Sequence, residues 1–271
     1  MSKKSKSSSG VWQSLFAPLA IILAFIAAYL IFTRVLGNPV NFEGGNPKGH
    51  PLQGNLLGLM YKGGVIVPVL ITIVITLLIY TVERWISLTR IKGRGRLNAF
   101  VANIQEMLTE DRIEDAIVAC DKQKGSLANV LRAGLSRYRA LENDAELEKD
   151  QKITSMKQAL EEATALELPT LSKNMVMLST IASISVLVGL IGTVIGMIRA
   201  FAALAQAGAP DALALSTGIS EALVNTAFGI TGSTLAIIFF NMFSSRIDGY
   251  VSKIDEAGFS LTQTFAASLK K

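Results

Sequence analysis

Residues 174–198 read NMVMLSTIASISVLVGLIGTVIGMI, 25 positions without a single charge. About 20 apolar residues cross a bilayer as a helix, so this stretch alone predicts a membrane span. At about 100° per residue, its small side chains (Ala182, Ser185, Gly189, Gly192, Thr193, Gly196), with Ala200 just beyond, share one arc, while Leu187, Leu190 and Ile191 lie elsewhere. Small residues let helices approach closely where lipid supplies no hydrophobic drive, so the glycines read as a packing face. Thr193 carries two readings: its hydroxyl can bond its own backbone or face a polar lumen.

Three further stretches lack charge for membrane-spanning length: Ser7 to Thr33 (27 residues), Gly63 to Val82 (20) and Ala222 to Ser245 (24). The segment from Glu83 to Lys173 holds 15 of the 26 Lys and Arg and 15 of the 21 Asp and Glu. This predicts an all-α, polytopic membrane protein of four transmembrane helices with long cytoplasmic helical extensions. The expected division is a signal-anchor helix over 1–36, a periplasmic loop over 37–62 and a second transmembrane helix over 63–86. A cytoplasmic helical domain follows over 87–173, then a third span (174–199), a short periplasmic connection (200–217), a fourth span (218–245) and a cytoplasmic amphipathic tail (246–271).

Orientation follows from the cations. Arg84, Arg90, Lys92, Arg94 and Arg96 flank the end of the second span, and Lys and Arg collect on the cytoplasmic side. Lys3, Lys4 and Lys6 at one end, and Arg246, Lys253, Lys270 and Lys271 at the other, then place both termini in the cytoplasm. The net charge of +5 reflects this topology rather than nucleic-acid binding. A lone Cys120 excludes an internal disulfide framework, and a lone His50 excludes zinc held by His and Cys pairs. No nucleotide-binding glycine loop, His-Glu-x-x-His helix or Gly-x-Ser-x-Gly elbow occurs, which argues against a conventional enzyme.

The Gly37 to Lys62 segment, rich in Gly, Pro and Asn, reads as an irregular exported loop. Between spans two and three, apolar residues recur at helical spacing: Leu97, Val101, Ile104 and Leu108, then Ile113, Ile117 and Cys120. After a break at Gly125 come Leu127, Val130, Leu131, Leu135 and Tyr138. Beyond polar Glu142-Asn143-Asp144 come Leu147, Ile153, Met156, Leu160 and Leu166. These stripes predict a small helical bundle. Val251, Ile254, Gly258, Leu261, Phe265 and Leu269 give the tail an amphipathic stripe that needs a partner.

In the fourth span Glu221, Asn225, Gly229, Gly232 and Ser233 share an arc with Thr226 at its edge, opposite Leu223, Val224, Leu235 and Ile238. A carboxylate and an amide are costly toward lipid, so this face is expected toward a bundle interior or water. Glu221 has two readings: an interfacial glutamate at a helix start, stabilised by the helix dipole, or part of a proton or ion route continued by Asn225 and Thr226.

Two segments resemble motifs of the MotA/TolQ/ExbB proton-channel family. Gly189-Leu190-Ile191-Gly192-Thr193-Val194-Ile195-Gly196-Met197 is similar to its G-L-x-G-T-V-x-G-I/M motif. Gly218-Ile219-Ser220-Glu221-Ala222-Leu223-Val224-Asn225-Thr226-Ala227-Phe228-Gly229 is similar to its G-I-x-E-A-L-x-x-T-A-x-G motif. The resemblance is closest to ExbB and TolQ. It implies a motor subunit of the bacterial inner membrane, driven by the proton motive force, that forms a homo-oligomeric ring, a homopentamer around two copies of an ExbD/TolR-like single-span partner. It further implies a TonB-like protein downstream and no cofactor or metal. Carried over by position, Thr193 and Thr226 line the pore, with Glu221 and Asn225 on the proton pathway, while Gly189, Gly192, Gly196 and Gly229 serve helix packing. The chain departs from the family in having Val186 and Leu235 where prolines are usual, and in Asn225, which adds an amide to the expected lumen. A MotA-like or gliding-motility stator and a secondary transporter stand as alternatives.

Overall fold

The computed structural model describes residues 7–47, 49–142, 147–205 and 212–268, with side chains from Pro18 onward except that of Leu213. Lys3, Lys4, Lys6, Asn143, Asp144, Leu269, Lys270, Lys271 and residues 206–211 of the expected periplasmic connection lie outside the described residues. Among those described no strand forms; a lone bridge joins Phe42 and Pro51. The helices are α1 (Ser7–Leu30), α2 (Leu56–Tyr61), α3 (Val67–Ile91), α4 (Leu97–Thr109), α5 (Ile113–Gln123), α6 (Ser126–Glu142), α7 (Lys149–Ser172), α8 (Met175–Leu204) and α9 (Ala212–Ser268). Four helical stretches among the described residues are long and apolar enough to span a bilayer, in Pro18–Leu36, Gly64–Ile91, Lys149–Leu204 and Ala214–Ser268. The protein is therefore a multi-pass, all-α membrane protein. It divides into two compact units, Met1–Val82 with Val176–Phe240, and Glu83–Met175 with Asn241–Lys271.

In the first unit, α1 buries Ala20, Ala24 and Ala28 and leaves Leu19, Ile22, Leu23, Phe25 and Ile26 exposed, as suits a helix facing lipid. It ends in a π-helical turn, Ile31–Leu36. The segment expected to be an irregular loop consists of short turns and the short helix α2, and Asn41 ties them together. Its Nδ2 donates to the carbonyls of Val35 (2.8 Å) and Leu36 (3.0 Å) at the end of that turn, and its Oδ1 accepts from Asn55 Nδ2 (3.1 Å). Asn55 in turn caps α2 by accepting the Gly58 N–H. Tyr61 of α2 stacks on Phe32 (4.7 Å between ring centroids) and meets the Phe42 edge (5.4 Å). Pro68 sits in the first turn of α3, where it forfeits no hydrogen bond.

The second unit contains the expected helical bundle, with two adjustments. Phe100 and Ala116, rather than Val101 and Ile117, complete the fully buried stripes of α4 and α5. Leu166, expected in the core, is 79% exposed because the α7 stripe runs from Met156 and Leu160 through Thr164 and Glu167 to Leu171, one position off Leu166. Glu167 accepts from Ser126 Oγ (2.6 Å) and Asn129 Nδ2 (2.8 Å), which fixes α7 to α6. The last part of α9 supplies Ile254, Leu261 and Phe265, the last against Tyr138 (4.6 Å). Leu160 and Leu261 pack on Gly134, where a side chain would collide with both.

Arg84, read from sequence as part of the cationic flank of the second span, is fully buried. Its guanidinium donates to both Glu83 carboxylate oxygens (2.8 Å each) and to the Leu171 carbonyl at the end of α7 (3.4 Å). Asn174, with φ +59°, breaks the chain between α7 and α8 and donates to the same Glu83 carboxylate (3.0 Å). The buried charge is thereby paired, and a helix-end carbonyl is satisfied.

Candidate functional site at the seam of α8 and α9

The close approach of α8 and α9 follows from their glycines. A Cβ built on Gly229 would lie 2.7 Å from the Ser185 carbonyl and 2.9 Å from the Gly189 Cα; one on Gly196 would lie 2.7 Å from the Ala222 nitrogen and the Gly218 carbonyl. The pairing order, with Gly196 beside Gly218, Gly192 beside Asn225 and Gly189 beside Gly229, makes the two helices antiparallel. Ser185 Oγ donates across the seam to the Gly229 carbonyl (2.9 Å), replacing water that a membrane interior cannot supply.

The seam brings Thr193 and Thr226 together, their hydroxyls in direct hydrogen-bond contact. One hydroxyl donates to the other, and the accepting one is free to donate one turn back, Thr193 to the Gly189 carbonyl or Thr226 to the Ala222 carbonyl (3.2 Å each). Both are half-buried. A hydroxyl donates and accepts at once, so the pair can turn either way round without breaking its mutual bond.

Five residues before Thr226 on α9, Glu221 is buried, its side chain 5% exposed. Arg199 Nη1 reaches both its oxygens, at 2.5 and 2.7 Å, while the rest of the Arg199 side chain stays half exposed. The carboxylate also rests on Gly64, whose φ of +73° and lack of a side chain leave room that a Cβ would fill. Arg199 was absent from the sequence reading. It is the first charge after the apolar run of α8, and its helical position three residues past Gly196 was the available signal.

Asn225, expected to add an amide to a polar lumen, lies fully buried within the chain. Its Nδ2 donates to the Gly63 carbonyl (2.9 Å) at the start of α3, and Gly192 closes on it from α8. Among the described residues Oδ1 has no hydrogen-bond partner. The amide therefore joins α9 to α3, and Gly63-Gly64, read from sequence only as a helix start, forms a seat for both Asn225 and Glu221. Chemically the site is an ion pair whose carboxylate alone is buried, a hydroxyl pair further along α9 and an amide fixed by backbone.

The MotA/TolQ/ExbB proton channel family matches residues 122–256 of the chain. An ExbB-like biopolymer transport protein of Synechocystis is 39% identical over 94 residues, 34% of this chain and 45% of its own. The biopolymer transport protein ExbB of Pseudomonas putida is 28% identical over 202 residues, 73% of this chain and 60% of its own. The Tol-Pal system protein TolQ of Pseudomonas aeruginosa is 30% identical over 124 residues, 46% and 54% of the two chains. The chain thus spans about half the length of these relatives.

Proposed function

Residues 122–256 make this chain a member of the MotA/TolQ/ExbB proton channel family, and we propose that it is an ExbB/TolQ-like motor subunit of the bacterial inner membrane. It works as a ring of copies, five by the resemblance, around two copies of an ExbD/TolR-like single-span partner. It uses the proton motive force to energise outer-membrane transport through a TonB-like protein, or another envelope process. The observation that carries this reading is the Thr193–Thr226 hydroxyl pair at a half-buried seam, in a chain with no aspartate in any of its four charge-free stretches. The titrating carboxyl then belongs to the partner, and this chain supplies the polar wall it passes.

In this mechanism a proton enters past Glu221 and neutralises the partner's carboxyl beside Thr193 and Thr226, because an ionised carboxyl moves along an apolar wall only at high cost. Release on the other side recharges it. One charge moved through 100 mV supplies about 2.3 kcal/mol, enough to bias discrete steps of partner against ring. The test is proton flux into vesicles holding the protein co-purified with its genetically adjacent single-span partner. Flux that requires both proteins supports the motor; flux-free vesicles from an intact complex would remove it in favour of a scaffold, and substrate uptake without a partner would favour a transporter.

A further inference from the structure

Six cations from three separate parts of the second unit stand around one corner of it. Arg90 closes α3, and Lys92, Arg94 and Arg96 follow at alternate positions in the turn before α4; all four are exposed. Gly93 and Gly95, at φ +73° and +78°, give the turn its shape. The turn is held in place: the Arg94 N–H donates to the Gln123 carbonyl (2.8 Å), and Gly93 and Gly125 touch backbone to backbone. That contact sets exposed Lys124, which follows α5, beside it. From α9, Lys253 Nζ donates to Asn98 Oδ1 (2.9 Å) in the first turn of α4, and lines a small crevice with Lys92 and Leu97.

Among the described residues none of these six side chains forms an ion pair. Of the nearby acids, Asp121 pairs with Arg132 (2.6 Å), Glu83 pairs with Arg84, and Asp255 lines the groove beside α7. No side chain caps the start of α4, where Arg96 occupies the N-cap position, so its free N–H groups add to the positive field. Six like charges gathered around one corner repel one another, and a bound anion would offset that repulsion.

The kind of anion is indicated by α3 itself. Trp85 and Ile86, on the turns just before the cations, are 48% and 45% exposed, and the Arg246 guanidinium lies 4.5 Å from the Trp85 ring. An exposed tryptophan stacked with an arginine at the end of a spanning helix marks the headgroup layer. Nucleic acid would offer the same phosphate chemistry, but it would not explain exposed apolar residues adjoining the cations. We propose that this corner binds the phosphate headgroups of anionic phospholipid in the leaflet where α3 ends, with Arg90, Lys92, Arg94 and Arg96 as the main contacts. Being preformed, the site selects anionic lipid without first ordering a loop.

The test uses the full chain in mild detergent, given equal amounts of phosphatidylglycerol and phosphatidylcholine with the same acyl chains, with retained lipid counted by native mass spectrometry. A cation near an anionic surface is worth about fivefold in partitioning, so wild type should retain phosphatidylglycerol over phosphatidylcholine by well over that factor. The Arg90→Gln/Lys92→Gln/Arg94→Gln/Arg96→Gln variant should bring the ratio to about one, Arg94→Lys/Arg96→Lys should keep it, and Lys157→Gln on α7 should leave it unchanged. Raising salt to about 0.5 M should collapse the preference of wild type, a readout independent of whether the variant folds. Equal retention of both lipids by wild type, or a preference that survives the fourfold variant, overturns the proposal. So does loss of the preference to added inorganic phosphate, which indicates an isolated phosphate site, or binding of a single-stranded oligonucleotide without lipid preference, which indicates a nucleic-acid surface.

Discussion

Arg199 meets Glu221 through one nitrogen, Nη1, which lies within 2.7 Å of both carboxylate oxygens. The burial is one-sided: Glu221 is 5% exposed and Arg199 50%. Removing the guanidinium leaves a buried anion against Gly64, whereas removing the carboxylate leaves a cation that can turn to water. Arg199→Gln should therefore cost about 1–2 kcal/mol, less than the loss of one partner of a fully buried pair, and Glu221→Gln should cost less. The double variant should match Glu221→Gln alone. Denaturation of all four proteins in one detergent checks this; strictly additive effects would show that the pair is not coupled.

Gly229 and Gly249 lie on the same helix and should respond oppositely to alanine. A Cβ at Gly229 meets backbone at 2.7 and 2.9 Å, and backbone yields only at the expense of the whole seam. Gly229→Ala should destabilise by about 1–3 kcal/mol. A Cβ at Gly249 meets nothing within 4 Å, and helical alanine is favoured over glycine, so Gly249→Ala should stabilise by up to about 1 kcal/mol. Thermal melting of the two variants reads both signs.

The Thr193–Thr226 pair can be tested with nearly isosteric substitutions. Thr226→Val and Thr193→Val keep the shape of the seam and remove the hydroxyl. Each should lower proton flux through the reconstituted complex by about tenfold, the value of one hydrogen bond lost from the path. Thr226→Ser keeps the hydroxyl and should retain flux. Normal flux in both valine variants would exclude the pair from proton transfer while leaving the family assignment untouched.

The spans were legible because charge is too costly in a bilayer to be scattered, so four uncharged runs marked four helices. The arc from Ser185 to Ala200 was legible because small residues at helical spacing have few other uses in lipid. The partner of Asn225 was not. A helical wheel puts Asn225 on the polar arc, but lumen and helix contact look alike there, and only the approach of the Gly63 carbonyl from another span separates them. Arg199 was passed over because it ends an apolar run, and its partner lies 22 residues on. The 37–62 segment is irregular as its composition signals, but the bonds from Asn41 to the Val35 and Leu36 carbonyls that hold it are not visible in composition.

Cys120 gives the protein a predictable alkaline response. Burial first, and Asp121 second, push its thiol from the ordinary 9.0 up to about 12. Between those values the unfolded chain releases a proton that the folded chain keeps. The thiol's contribution is therefore complete below pH 9 and declines as pH rises toward 12, by up to about 1.4 kcal/mol per pH unit. Burial raises the Tyr138 phenol too, with the same sign. Cys120→Ala should flatten the loss of stability above pH 9 and leave the part due to Tyr138, as read by denaturant titration at several pH values. At pH 8 the native thiol should resist iodoacetamide and react promptly once unfolded, since the thiolate is the reactive form. Fast labelling of the folded protein would place Cys120 outside the core that α4, α5 and α6 build around it.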